Sequence, residues 1–323
     1  MKKNILNILL VLCVAFGSCK KNSEQHSSCS DELHKITFTV SGFTTEITDI
    51  KTNSIKSSEV NTPAYESRYL QLLIYDDKGR LKANRSSGWG TPNNSFTESL
   101  PGGTYTVIFV GMIDYQNTGR SFLLESPYDL SFSNNYCYFR RVNVNTSSLL
   151  PESYYKRTTI TIADSDISQT VSLDRISSQL EIVIKDAIPQ KAESLGFTFN
   201  KPLPDAISIS TGKPVYSRFP NNNSSYGIYY SKGFAFPDSV KGKTNVKFSA
   251  VFVADPVIKY TVQLSAYDGD SHLISSKLSD ITFKPNKIVT LTGNLFGGNG
   301  TSNNNTNINI DPTWSSDVIE KEF

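Results

Sequence analysis

Histidine and cysteine, which serve most often as catalytic bases, nucleophiles and metal ligands, are scarce in this sequence. The chain has 3 histidines and 4 cysteines among 323 residues. A serine or cysteine nucleophile needs a neighbouring base, and His272 is the only histidine beyond the N-terminal region. No G-x-S-x-G elbow, phosphate-binding glycine loop or H-E-x-x-H motif occurs. The sequence therefore predicts no enzyme activity, no catalytic residue and no cofactor.

An excess of charge of one sign is also missing. The net charge is +2, which is too small to predict electrostatic binding of nucleic acid. Asp268 and Asp270 flank a glycine, but the further oxygen ligands of a calcium loop are absent from the sequence around them. Asp164 and Asp166 likewise lack these further ligands. We predict no metal site and no nucleic-acid partner, and we expect His272 to be exposed in a turn.

Long apolar runs are absent except for one near the N-terminus. Residues 5–16 are almost wholly apolar and follow Lys2 and Lys3, which is the pattern of a signal peptide. The run is shorter than a membrane-spanning helix requires. We therefore predict a signal peptide over residues 1–18.

The apolar run ends at F-G-S-C, residues 16–19, which resembles the lipobox of bacterial lipoproteins. Phe16 stands where an aliphatic residue is usual, so an ordinary secretory signal with a chance cysteine is the alternative. Lipidation at Cys19, with palmitate as one acyl chain, would hold the chain on a membrane because each buried methylene contributes about 0.8 kcal/mol. Lys20 and Lys21 favour the outer membrane, with the protein at the cell surface or in a fimbrium.

No segment shows a convincing helical period, whereas strand patterns recur along the chain. Residues 35–43, K-I-T-F-T-V-S-G-F, alternate between apolar and polar, and so do residues 258–266. Short strands between turn signals are typical of β-sandwiches. The prediction is an all-β chain: a polar tether over 19–34, an N-terminal sandwich over 35–167, and a C-terminal sandwich over 168–323. The last part includes a Gly/Asn linker and a terminal strand.

Besides the lipidated Cys19, the cysteines left after the predicted processing are Cys29 and Cys137. An exported chain could form a disulfide, but Cys29 lies in the polar tether. Free or buried thiols are therefore the favoured prediction.

Tyrosines cluster among Asn and Ser between residues 216 and 230. Flat aromatic rings with amide neighbours suit a surface that binds glycans or proteins. The favoured alternative is that these aromatics fill the edge of a sandwich. The candidate residues are Tyr216, Tyr226, Tyr229 and Tyr230.

Taken in order, several segments resemble the fimbrillin superfamily of Bacteroidetes outer-membrane lipoproteins. The resemblance rests on the lipobox at Cys19 and on the segments I-T-F-T-V-S-G-F, L-Q-L-L-I-Y-D-D-K-G-R-L, L-P-G-G-T-Y-T-V-I-F-V-G, V-S-L-D-R-I-S-S-Q-L-E-I-V-I-K-D and V-T-L-T-G-N-L-F with I-N-I-D-P-T-W. It implies two tandem transthyretin-like Greek-key sandwiches. It also implies assembly with other fimbrial subunits.

The same resemblance implies a mode of assembly. Polymerising members lose their first strand to a protease that cuts after Arg or Lys, and a strand of the next subunit enters the groove. The candidate cut sites here are Lys51, Lys56 and Arg68. Arg68 is the weakest of them, because cleavage after it would leave no free segment before the next strand. Ile308 and Ile310 in the tail are candidate donor-strand residues. The favoured alternative is that this part of the tail forms the last strand of its own domain.

Two functions from different classes follow from the sequence. The first is a non-catalytic fimbrial subunit of the anchor or accessory type, which contributes to cell adhesion. The second is a surface lipoprotein that binds a host or bacterial glycan or protein through the tyrosines of residues 216–230.

Overall fold

The computed structural model describes residues 32–41, 67–87, 95–114, 121–125, 138–142, 152–204, 206–216, 231–297 and 320–322. Strands dominate these residues. A single 3₁₀ turn, Asp238–Val240, is the only helix within the described ranges. The predicted all-β fold class is confirmed.

The N-terminal half forms a sandwich of a three-stranded and a five-stranded sheet. Its strands are β1 (Leu33–Ser41), β2 (Ser67–Asp76), β3 (Leu81–Ser86), β4 (Ser95–Pro101), β5 (Gly103–Asp114), β8 (Glu152–Ile162), β9 (Ile167–Ser172) and β10 (Asp174–Arg175). The sheet orders are β4-β1-β9 and β10-β8-β5-β2-β3. Alternate residues of both sheets meet in one apolar core, in which Phe38 and Phe109 pack edge to face at 5.4 Å.

The C-terminal half forms a second sandwich around a phenylalanine-rich core. Its strands are β11 (Ser178–Ile184), β12 (Ala192–Phe199), β15 (Ser231–Ala235), β16 (Val246–Phe252), β17 (Lys259–Asp268), β18 (Leu273–Thr282), β19 (Ile288–Gly293) and β20 (Glu320–Glu322). The sheet orders are β16-β11-β19-β20 and β15-β12-β17-β18. Phe252 and Phe283 pack edge to face at 4.9 Å within this core.

The second sandwich repeats the topology of the first. Sheet β16-β11-β19 corresponds to β4-β1-β9, and in both the middle strand is antiparallel to one neighbour and parallel to the other. Sheet β15-β12-β17-β18 corresponds to β3-β2-β5-β8. The tandem arrangement is thus an internal repeat, with β20 added to the second copy only.

A smaller sheet joins the two halves. It consists of β6 (Ser121–Glu125), β7 (Tyr138–Val142), β13 (Ala206–Ser208) and β14 (Pro214–Val215), in the order β14-β13-β7-β6. Strands β13 and β14 with their connecting turn, here called the clasp hairpin, come from the second half of the chain. Ile207 and Ile209 of this hairpin pack on the outer face of the five-stranded sheet.

Strand pairing places the change of sandwich later than the predicted boundary at residues 167 and 168. β9 pairs with β1, and β10 pairs with β8, so both strands belong to the first sandwich. The second sandwich begins at β11, after Arg175. The sequence near 167 shows a strand but contains no sign of its partner, which lies far back in the chain.

Candidate functional site

Strand β1 occupies the middle of the three-stranded sheet. Ile36, Phe38 and Val40 are at most 2% exposed and point into the core, as their alternation predicts. Both edges of β1 are paired, antiparallel with β4 and parallel with β9. We call the space that β1 fills the β1 groove.

The β1 groove cannot remain empty without a large loss of stability. Full burial of an Ile, Phe or Val side chain contributes about 1.5–3 kcal/mol, and β1 supplies three of them together with two rows of backbone hydrogen bonds. A typical domain is stable by only about 5–15 kcal/mol. Loss of β1 would therefore unfold the sandwich or require another strand in its place.

Near the N-terminal end of β1, polar contacts lie on both sides of the groove. The backbone N–H of Lys35 donates to the carboxylate of Asp166 at 2.8 Å. On β4, the buried Glu98 pairs with Arg85 of β3, with Nε 2.6 Å from Oε1 and Nη2 3.1 Å from Oε2. This ion pair links the two sheets at the side of the sandwich next to β4.

The predicted cut sites differ in their surroundings. Arg68 lies in β2, where its backbone is paired with Ile113 of β5. A protease needs an extended, accessible segment, which a strand paired inside a sheet does not provide. Lys51 and Lys56 lie outside the described residues, between β1 and β2.

The end of the chain returns to the second sandwich. β20 pairs in parallel with Thr290–Thr292 of β19. Residues 320–322 of the tail thus pair within the second sandwich. The donor candidates Ile308 and Ile310 lie outside the described residues.

Asp186 holds the backbone of residues 295–297, which follow β19. Its carboxylate accepts three backbone N–H groups, from Leu295 at 2.9 Å, Phe296 at 2.6 Å and Gly297 at 2.5 Å. Charge-assisted bonds of this kind are stronger than neutral ones. The sequence contains no local signal for this role, because the partners are more than a hundred positions away.

Among the candidate aromatic residues, the structure describes Tyr216. Its ring is half-buried, and its buried hydroxyl lies beside that of Tyr260 in the core. Burial raises the pKa of the Tyr216 phenol. This placement favours a role in packing for Tyr216, whereas Tyr226, Tyr229 and Tyr230 lie outside the described residues, as do Cys19, Cys29 and Cys137.

The predicted turn at His272 connects β17 and β18. The backbone N–H of His272 donates to Asp268 at 2.8 Å and contributes most to holding the pKa of that carboxyl below its usual range. The His272 side chain is 76% exposed. Across the described ranges, no group of three His, Cys, Asp or Glu side chains is placed to hold a metal ion.

None of the helical structure described here has the length and apolar character of a membrane-crossing helix.

The all-β chain, with its two sandwiches and joining hairpin, matches a family model over residues 30–322. It belongs to this family, a family of unknown function (DUF6562). Among curated proteins, no sequence matches it. The predicted place in the fimbrillin superfamily therefore stays a resemblance.

Solved structures with a similar arrangement come from Bacteroides and Porphyromonas. A proposed polysaccharide-binding protein from Bacteroides thetaiotaomicron has a TM-score of 0.49 and 7% identity, over 86% of this chain and 96% of that chain. A proposed adhesin from the same species has a TM-score of 0.47 and 13% identity, over 89% and 97%. The fimbrial anchor protein Mfa2 from Porphyromonas gingivalis has a TM-score of 0.39 and 11% identity, over 80% and 90%. Similarity at this level establishes no shared function.

Proposed function

We propose that this chain is a non-catalytic fimbrial subunit that is lipid-anchored at the outer membrane through Cys19 and assembles with other subunits by strand exchange. The observation that carries the proposal is the position of β1. It is a separate N-terminal strand in the middle of a sheet, and the segment that links it to β2 contains Lys51 and Lys56. Such a strand can be exchanged for one from another subunit without rearranging the rest of the sandwich.

Within this proposal, the anchor or accessory type is favoured over the stalk type. Arg68 is inside a paired strand, which leaves Lys51 and Lys56 as cut sites. A lipid on Cys19 would be separated from the sandwich by cleavage at either lysine. A subunit that keeps its tether would therefore also keep β1 covalently attached, and a strand from another subunit would have to displace β1 from the groove without cleavage.

Complementation with a peptide tests the strand exchange. A chain that lacks residues 20–66 should not fold alone, and a peptide of residues 33–41 should restore folding, as measured by circular dichroism and by resistance to protease. A peptide with Phe38→Asp should fail, because Phe38 is 0% exposed. A matched peptide with Thr39→Asp should still work, since Thr39 is exposed. Folding without any peptide would contradict the proposal.

The anchor is tested by intact mass and N-terminal mapping of protein from the outer membrane of the native host. An acylated Cys19 on a chain that keeps β1 is the expected result. A chain that starts after Lys51 or Lys56 would identify a polymerising subunit instead. A Cys19→Ser chain that stays in the membrane fraction would contradict the lipid anchor.

A further inference from the structure

The outer edge strand of the second sandwich differs from its counterpart in the first. In the first sandwich, β10 pairs with β8 at Tyr154 and Tyr155 and so covers part of that edge. The corresponding strand β18 pairs with β17 along one edge, and within the described part of the chain no strand pairs with its other edge. Unpaired edges of this length offer backbone groups to another strand.

Strand β18 also carries apolar surface at this edge. Leu278 is 62% exposed and Leu273 is 57% exposed. Leu278 lies opposite the exposed Gln263 of β17, so both side chains are on the outer face of the sheet.

The core-facing side of β18 holds a polar group without a partner. Ser279 is 4% exposed, and its buried hydroxyl has no hydrogen-bond partner among the described residues. Unsatisfied buried hydroxyls are uncommon and costly. Lys277 lies two positions before Ser279, on the same side of the strand.

We propose that β18 pairs antiparallel with β18 of a second copy of this chain, about a two-fold axis through Leu278. The two four-stranded sheets would then form one continuous sheet across the dimer. A two-fold interface uses the same surface on both copies, so the sequence of β18 has to complement itself. This inference is independent of the strand exchange at β1.

The side chains of β18 select this register over its neighbours. An axis at Lys277 would place the Lys277 side chains of the two copies opposite each other. An axis at Asp280 would place the two Asp280 carboxylates opposite each other. Like charges directly opposite are destabilising. An axis at Ser279 would set Leu278 against a carboxylate, and axes nearer either end would pair less of the strand.

With the axis at Leu278, the paired side chains are complementary. Each Leu278 meets its copy on the outer face, where both are exposed in the single chain. On the core-facing side, Lys277 lies directly opposite the second copy's Ser279. Directly opposed residues have Cβ atoms about 4.5–5.5 Å apart, so the ammonium group can donate to the unpaired hydroxyl.

Light scattering coupled to size exclusion tests the dimer on the full chain in detergent, with the detergent mass subtracted. The wild type should have twice the mass of one chain. Leu278→Lys should raise the dissociation constant at least about tenfold, because it sets two lysines opposite each other and removes an apolar contact. Leu273→Lys is the matched control: it changes an equally exposed leucine beyond the paired residues and should leave the mass unchanged.

A cysteine cross-link then locates the axis. In a chain whose native cysteines are replaced by serine, Leu278→Cys should form a disulfide-linked dimer under mild oxidation, and Gln263→Cys, one strand further in, should not. A monomeric wild type at every concentration would overturn the proposal, and so would equal effects of the two lysine variants. A wild-type dimer without the Leu278→Cys cross-link would overturn the β18 interface.

Discussion

At the scale of single residues, Gly212 is the most constrained position of the clasp hairpin. Its φ is +67°, and a Cβ built there would lie 2.4 Å from Cδ1 of Tyr155. The Tyr155 ring cannot move away freely, because its hydroxyl donates to the carbonyl of Ile209 at 2.7 Å. Glycine is thus required both for the turn and for the contact between the two halves.

Gly212→Ala should lower the free energy of unfolding by at least about 2 kcal/mol, from backbone strain and overpacking together. Gly233→Ala is the control, since a Cβ at Gly233 meets nothing within 4 Å. It should change stability by less than about 0.5 kcal/mol. Denaturant titration measures both, and equal midpoints for the two variants would contradict the close contact.

Tyr155 also makes stability sensitive to alkaline pH. Burial raises the pKa of its phenol from 10.0 to about 12. The folded state therefore favours the protonated phenol, and this contribution is fully present below pH about 10 and is lost as the pH rises through about 12. Denaturation at stepped pH should show stability falling over this window, with a shallower fall in Tyr155→Phe. The same slope in both proteins would show that Tyr155 does not contribute.

At the scale of elements, Asp186 controls how firmly the chain after β19 is held. Its carboxylate accepts the backbone N–H groups of residues 295–297. Asp186→Ala should speed amide hydrogen exchange at Leu295, Phe296 and Gly297, since their acceptor is removed. Asp238→Ala, which removes a carboxylate that is 96% exposed, should leave these rates unchanged. Equal exchange in Asp186→Ala and wild type would exclude the anchoring role.

The elements show which parts of this fold can be predicted from the sequence. The alternation in β1 and β17 identifies both strands and their buried faces, because the period of a strand is a local property. The parallel pairing of β1 with β9 and the docking of the clasp hairpin depend on partners far away in the chain. For that reason the sequence near residue 167 does not show that residues 167–175 pair with the first sandwich, and the roles of Gly212 and Asp186 have no local signal in the sequence.

At the scale of the whole molecule, a buried ion pair of the first sandwich lies at the junction with the second. Nη2 of Arg175 lies 2.8 Å from Oε1 of Glu152, and the two side chains are 15% and 3% exposed. The Arg175 Nη1 also donates to Asn286 of the second sandwich at 3.4 Å. Next to this pair, the backbone N–H of Asn286 donates to the carbonyl of Ser177 at 2.8 Å.

Arg175→Met should lower the free energy of unfolding by about 3 kcal/mol, because it leaves the Glu152 carboxylate buried without its cation. Lys156→Met is the matched control. It removes the cation of an ion pair with Asp174, whose side chain is 70% exposed, and such pairs contribute less than about 1 kcal/mol. Thermal and denaturant unfolding should show the larger loss for Arg175→Met, and equal losses would contradict the cost of leaving Glu152 buried without its cation.

The pairing of β1 with β9 has a consequence for how the protein is made. The bond from Lys35 to Asp166 spans 131 positions of sequence, so the first strand reaches its parallel neighbour only when more than half of the chain is available. Contacts of such separation slow folding. A chain that crosses a membrane from its N-terminus would therefore emerge with one edge of β1, the edge that later pairs with β9, still unpaired after β4 has followed. The interval before residues 167–172 follow is the time in which an assembly factor could capture that edge.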